Sequence, residues 1–320
     1  MSGIAISVVM PLFNKEGQVA RSVHSVLGQT CGEFELIVVN DGTTDGSREV
    51  VASLRDRRIR LIDQKHAGVS AARNRGIGEA RAKLIAFCDA DDEWEPDHLE
   101  SLLGLSRRYP GAAVYATGYW FASPGELRRA NILRGVHDDF EEGLFDDYFR
   151  VAAASDPPLC SSSVAVRVDA LRDVGFFRRD VDTGEDLLTW ARLAERYPIA
   201  YRRRPTALFW SPRGVADRPG RVPAEPDVVG EELARMLARA PGPIAAGLAA
   251  YLALWHRMRG VIYLKLGNSR RARREFGLSL HRGGWSLKVC ALWLLSLMPH
   301  PGKVFEYLEH RRTRLRGACR

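Results

Sequence analysis

The sequence predicts an α/β protein, a mostly parallel sheet flanked by helices with a helical appendage at the C-terminal end. Three observations predict it. Over the first 120 residues, short apolar runs rich in Val and Ile alternate with segments of helical spacing. The runs end in distinctive polar loops. Beyond about Val228 the pattern reads helical throughout.

The predicted strands are Ile4–Met10, Phe34–Asn40, Ile59–Asp63, Leu84–Cys88 and Ala113–Tyr119. The first intervening helix places Val19, Val23, Val26 and Leu27 on one face. The second carries Val50, Val51 and Leu54 after a start signal at Thr44-Asp45. A third runs from about Val69 to Ala80, and a fourth from about Pro96 to Arg107. Strand–helix alternation at this spacing means βαβ units, and such sheets bind ligands at the carboxyl ends of their strands. Residues 121–160 read as irregular and acidic; Ser161–Arg167 reads as a strand and Glu185–Tyr197 as a helix stopped by Pro198. From Arg202 to Pro226 the density of Arg, Pro and Gly predicts a loop or linker. The segment Tyr263…Gly267…Ala272…Phe276 has the spacing of one helical hairpin, too little for a solenoid. The expected division is residues 1–215 and a basic helical region over 216–320.

The 320-residue chain carries a net charge of +8 that conceals an asymmetry. Residues 1–200 hold 24 Lys+Arg against 31 Asp+Glu; residues 201–320 hold 23 against 8. The acidic part suits a metal ion and the basic part a polyanion such as anionic lipid or nucleic acid, or else a solvated helical surface. The five cysteines are scattered without a C-x-x-C pair, which argues against a zinc site and for a reducing compartment. A signal peptide is not expected, and no run reaches the roughly 18 apolar residues of a spanning helix. Ile244–Trp255 and Val289–Met298 come nearest and read as buried or interfacial helices.

The chemistry is expected at three strand ends. After the first strand comes Pro11-Leu12-Phe13-Asn14, with Glu16 close behind. After the second, Asp41 and Gly42 offer a carboxylate for a base N–H or a ribose hydroxyl, or else a common turn. After the fourth comes Asp89-Ala90-Asp91-Asp92. Clustered carboxylates need a cation or open solvent to stay ionised, and Mg²⁺ or Mn²⁺ uses one or two of them plus substrate phosphates. Asp91 and Asp89 are the metal candidates. Lys65, Gly68 and Arg73 lie around the start of the third helix, where cations and small residues suit a diphosphate; simple surface charge is the alternative. His66 and His24 have no metal-ligand partners at the right spacing. Gly184-Glu185-Asp186 opens a later helix, and its carboxylates read equally as a general base or as a cap.

The ordered set resembles the family-2 glycosyltransferases of the GT-A, nucleotide-sugar-binding fold over about residues 4–210. It comprises Val8-Val9-Met10-Pro11-Leu12-Phe13-Asn14, Val38-Val39-Asn40-Asp41-Gly42-Thr43-Thr44-Asp45-Gly46-Ser47, Gly68-Val69-Ser70-Ala71-Ala72-Arg73-Asn74-Arg75-Gly76, Asp89-Ala90-Asp91-Asp92 and Gly184-Glu185-Asp186. The resemblance implies that Pro11 and Phe13 line a nucleotide pocket and that Asp41 reads the base, usually uracil. It implies Asp91 as metal ligand, Asp89 facing the ribose or a metal-bound water, and Asp186 as catalytic base. The implied reaction is transfer of a sugar, with inversion, from a UDP-sugar or similar donor to a hydroxyl on a glycan, lipid or other cell-envelope precursor. One departure stands out. Many relatives carry a metal- or diphosphate-holding His after the base helix, and the corresponding stretch here, Arg202-Arg203-Arg204-Pro205 to Ser211-Pro212-Arg213, has arginines.

A pyrophosphorylase would need a Gly-rich, Arg-containing loop after the first strand, and a dinucleotide oxidoreductase G-x-G-x-x-G; both are missing. The competing reading is a GT-A scaffold that binds partners or a membrane through its tail. Trp255, Trp285 and Trp293 near Arg270-Arg271 and Arg311-Arg312 suit peripheral attachment to the inner face of the cell membrane, and a packed helical bundle equally. The expected setting is cytoplasmic, and nucleic acid is not the favoured partner.

Overall fold

The computed structural model describes residues 3–123, 128–210, 222–283, 286–298, 302 and 304–305. The chain forms two compact units, Met1–Asp217 and Arg218–Arg320.

The first unit is a mixed α/β sheet. Strand β1 (Ile6–Leu12) lies between β2 (Phe34–Asp41) and β4 (Leu84–Phe87), parallel to both, with Ile6 opposite Phe34 and Ser7 opposite Ile85. Strand β3 (Ile59–Gln64) extends the parallel half beyond β2. Strands β1, β2 and β4 are buried on both faces, so their sequences are mostly apolar runs, whereas the edge strand β3 is only partly buried. Beyond β4, strand β9 (Val164–Arg167) enters antiparallel, followed by β6 (Val114–Ala122) and β10 (Ile199–Trp210), which run parallel to each other. The two-residue strand β5 (Glu93–Trp94) closes the order β3-β2-β1-β4-β9-β6-β10-β5. Short strands β7 (Arg129–Ala130) and β8 (Glu142–Leu144) pair with β6 and β10, and helix α5 (Tyr148–Ala154) follows, so the segment expected to be irregular contains three short elements.

Helices α1 (Val19–Leu27), α2 (Ser47–Ser53), α3 (Val69–Glu79) and α4 (His98–Arg108) follow the strands as their apolar spacing predicts. Val19, Val23 and Val26 of α1 are buried. Gly76 of α3 rides on Val9 of β1: a Cβ there would sit 2.4 Å from Val9 Cγ1. Val9 is β-branched and fully buried, so it has little room to yield. Gly76→Ala is therefore expected to destabilise the fold by about 1–3 kcal/mol. Calorimetry should read this as a lowered Tm, and an unchanged melting curve would refute the packing argument.

The loop expected from Arg202 is instead the larger part of β10 as far as Trp210. Composition misled because the arginines find acids and carbonyls far away in sequence. Arg204 pairs with Asp97, Arg202 reaches Glu142 at 3.9 Å, and Arg203 donates to the Asp138 carbonyl. Pro205 sits at a register irregularity between β10 and β6, where its missing N–H is tolerated. Residues 211–213, and with them Arg213, lie outside the described residues.

The second unit is helical: α8 (Val228–Arg239), α9 (Gly242–Lys265), α10 (Ser269–His281) and α11 (Leu287–Leu295). Helices α9 and α10 form the expected hairpin, with Tyr263, Ala272 and Phe276 in one core with Val289 and Leu292. Asp227, His256 and Glu275 bring metal-type ligand atoms within 4.8 Å of one another. The cation there is already supplied: Arg259 Nε lies 3.3 Å from Asp227 and 3.0 Å from Glu275. A divalent ion would have to enter beside a buried guanidinium, so this is a packing network. Among the described residues, no helix is long and apolar enough to cross a membrane. Trp285, Arg311 and Arg312 lie outside the described residues.

Candidate active site at the carboxyl edge of the sheet

Because β1, β2 and β4 are parallel, the loops that follow them emerge at one edge. The first two loops are tied together. Asn14 takes a left-handed backbone, φ 51°, which Asn tolerates better than most residues. Its Oδ1 accepts from the Thr44 N–H at 2.9 Å and from the Thr43 hydroxyl at 2.8 Å. The Glu16 N–H donates to Asp45, and the Glu16 carboxylate accepts from the Gly46 N–H at 3.2 Å. Asn14 and Glu16 thus join loop to loop. Asp45, held by Ser47, Glu16 and Thr43, has its pKa lowered to about 2 despite the opposing effect of burial.

Asp41 closes β2, almost wholly buried. Its Oδ1 accepts from Gln64 Nε2 at 2.7 Å and the Ala67 N–H at 2.9 Å; its Oδ2 lies 2.9 Å from both the Gly68 N–H and His66 Nδ1. A carboxylate offers about four lone-pair sites, and three accept hydrogen bonds here. His66, whose Nδ1 also lies 3.1 Å from the Asp41 carbonyl, stands against Oδ2. For Asp41 to read a base N–H, His66 must move; its side chain is 57% exposed and stacks on Phe13 with ring centroids 4.2 Å apart. Phe13 is itself exposed, and Pro11 lies at the end of β1 opposite Val39. Gly68, at φ 87°, faces open space where a Cβ would stand, so a ligand has room to approach its backbone. Lys65 is exposed just beyond β3.

The run after β4 divides into three roles. Asp92 is fully buried, accepting from the Ser162 hydroxyl at 2.6 Å and the Trp210 N–H at 2.9 Å. Burial first, and then the charges of Asp89 and Asp91, push its pKa well above the usual carboxylate range. It fastens the loop to β10. The same Ser162 hydroxyl accepts from the Asp89 N–H at 3.0 Å. Asp91 is partly exposed and pairs with Lys15 Nζ at 2.5 Å. Its carbonyl accepts from Arg21, whose guanidinium lies 4.3 Å from the Trp210 ring.

Asp89 turns toward Arg73. Arg73 is only 3% exposed; its guanidinium donates to Asp89 at 2.9 Å and to Glu185 at 3.0 Å, joining α3, the β4 loop and the start of α7 (Glu185–Ala194). Sequence analysis left Arg73 between donor binding and surface charge; the fold makes it a buried bridge. Asp186, the next residue, is partly buried. Burial raises its pKa, the Arg73 charge and the Leu187 N–H oppose this, and Asp89 adds to it. Glu185 is lifted to about 7 by burial and the Asp186 charge, against Arg73. Asp89, Arg73, Glu185 and Asp186 therefore form one electrostatic group, assembled from segments about a hundred residues apart. Sequence reasoning missed Lys15 and Ser162; each looks ordinary until its partner is known. Glu185 was named with Asp186, but its tie to Arg73 was not. The arginines at positions 202–204, considered for a diphosphate, are committed to other partners. They sit six to eight residues before Trp210 on β10, roughly 20–25 Å along the strand.

The family model for glycosyl transferase family 2 matches residues 7–175. The chain belongs to this family. Within it, the chain is 36% identical over 199 residues to the putative teichuronic acid biosynthesis glycosyltransferase TuaG of Bacillus subtilis, covering 61% of this chain and 74% of TuaG. It is 40% identical over 142 residues to the uncharacterized glycosyltransferase YibD of Escherichia coli, covering 41% of each. Against the glycosyltransferase GlyA of Streptococcus pneumoniae it is 33% identical over 44% of this chain and 20% of GlyA. This family-2 chain thus spans between a fifth and two fifths of these last two relatives. Among solved structures, residues 1–349 of Staphylococcus aureus TarS in complex with UDP-GlcNAc match with a TM-score of 0.67 and 18% identity, over 97% of this chain and 92% of that one. A mannosyltransferase of Pyrobaculum calidifontis, in complex with GDP-Man and Mn²⁺, matches with a TM-score of 0.57 and 19% identity, over 95% and 84%. The fold of this family-2 chain is GT-A.

Proposed function

We propose that the chain is an inverting glycosyltransferase that moves a sugar from a nucleotide-diphosphate donor, a UDP-sugar in the first instance, to a hydroxyl of a glycan, lipid or other cell-envelope precursor. The observation that carries this reading is the group Asp89–Arg73–Glu185–Asp186 at the carboxyl edge of the sheet. It holds a carboxylate of raised pKa, on the partly buried Asp186, in the rigid first turn of a helix. In the proposed reaction Asp186 takes the proton of the acceptor hydroxyl as its oxygen bonds to the anomeric carbon. The bond from that carbon to the diphosphate oxygen breaks on the opposite face, and the nucleoside diphosphate leaves. Arg73 holds Asp89 and Glu185 in place, and Phe13 with His66 offers a flat surface to the base, Asp41 accepting from it once His66 moves aside. The room before Gly68 admits the diphosphate, with Lys65 near it.

The residues fit a divalent cation. Asp91 is partly exposed, already attracts a cation in Lys15, and is one of the two neighbouring charges that, after burial, push the pKa of Asp92 upward. Asp91 would hold Mg²⁺ or Mn²⁺, with Asp89 beside it; when bound, the ion supplies charge neutralisation for the departing diphosphate. A reducing cytoplasm is the proposed setting, consistent with the free thiols Cys31, Cys88, Cys160 and Cys290.

The test is release of nucleoside diphosphate from UDP- and GDP-sugars, with Mn²⁺ or with EDTA, alongside thermal shift. One donor is expected to be turned over with Mn²⁺ and at least about tenfold more slowly in EDTA, and to raise Tm with metal. Neither release nor stabilisation by any donor would leave the scaffold reading in its place.

A further inference from the structure

Helix α11 is apolar on both sides. Val289, Leu292 and Ser296 are buried, and the first two enter the core with Tyr263 and Phe276. On the other side Leu287 is 92% exposed, Leu294 58% and Met298 49%, with exposed Ala291 between them. Steps of four and three residues put 287, 291 and 294 on one helical face, and exposed Met298 follows in the turn after the helix. Leu297, at 53%, widens the stripe. A helix apolar all round is normally covered. This one is nine residues long, about 13 Å, far too short to cross a bilayer.

The charge around the stripe indicates what covers it. Helix α10 packs against α11: Arg273 donates to the Ser296 carbonyl at 3.1 Å. Arg270, Arg271 and Arg274 of α10 are exposed, as is Lys288 of α11. Among the described residues from Lys265 onward, seven are Lys or Arg and one, the buried Glu275, is acidic. An acidic or neutral partner surface is required, and an apolar one beneath it.

We propose that α11 lies in the headgroup layer of an anionic lipid bilayer. Leu287, Leu294, Leu297 and Met298 enter the acyl boundary, and the surrounding arginines and lysines pair with lipid phosphates. Neither half suffices alone: four apolar side chains give marginal insertion, and exposed charge without insertion is screened by salt. The inference stands apart from the transfer reaction and uses none of its residues.

The test is co-sedimentation of the full chain with vesicles of phosphatidylglycerol and phosphatidylcholine, against phosphatidylcholine alone. The anionic vesicles are expected to bind at least about tenfold more tightly. The double variant Leu287→Asp/Leu294→Asp is expected to lose about tenfold or more in affinity, with Tm and donor turnover unchanged because both side chains are exposed. Arg270→Ser/Arg274→Ser is expected to weaken binding to anionic vesicles and flatten its salt dependence, keeping the proposal testable should the aspartates perturb the helix. Four results would overturn it: wild type staying in the supernatant; both variants binding like wild type; a dimer without lipid that the leucine variant dissociates; or a nucleic-acid oligomer binding where vesicles do not.

Discussion

Asp186→Asn is expected to lower sugar transfer by about 10²–10⁴-fold while leaving donor binding and Tm intact. The amide keeps the shape and cannot take the acceptor's proton. Tm should hold or rise slightly, because burial already disfavours the charged carboxylate and asparagine removes that cost. The pH profile gives a second check. Burial raises Asp186 above the ordinary Asp range and lifts Glu185 to about 7, and two acids this close titrate as a pair. The acid limb of kcat/KM should therefore lie above the usual Asp value of about 3.9. Activity that persists in Asp186→Asn, with an unchanged pH profile, would place the base elsewhere.

Arg73→Met is expected to destabilise the fold by about 3–5 kcal/mol, a fall in Tm of roughly 10 °C or more. It strands Asp89 and the largely buried Glu185 without the cation they share. Lysine should rescue only in part, since one ammonium lacks the fork that reaches both acids. The loss should depend on pH. Glu185 has a folded-state pKa above its ordinary 4.5, so the stability it contributes is full below 4.5 and is lost as pH rises toward about 7. Without Arg73 that pKa climbs further. The gap between wild type and variant should be wide at pH 8 and narrower at pH 5. An equal gap at both values would mean that Arg73 acts by packing alone.

Much of the α/β unit was legible in advance because hydrophobic periodicity is a local signal. Val8, Val9 and Met10 announce β1, and Val19, Val23 and Val26 announce one face of α1, wherever else the chain goes. The run from Arg202 to Trp210 was not legible. Its strand character comes from pairing with β6 and β8 and from acids at positions 97 and 142, information absent from its own composition. The sheet's mixed character was hidden for the same reason: β9 reads as a strand, but its antiparallel entry between β4 and β6 is a matter of topology.

At the site the division is sharper. The sequence by itself determined the family, the order of secondary structure and the strand ends where carboxylates collect. Only the tertiary structure decided what each carboxylate does. Asp89, Asp91 and Asp92 are near-neighbours in one loop, yet one faces Arg73, one faces Lys15 and solvent, and one is sealed against Ser162 and Trp210. The reason is physical: apolar spacing acts over a single helical turn or strand, whereas the energy of a charge depends on how much water remains around it and which opposite charge the fold brings near.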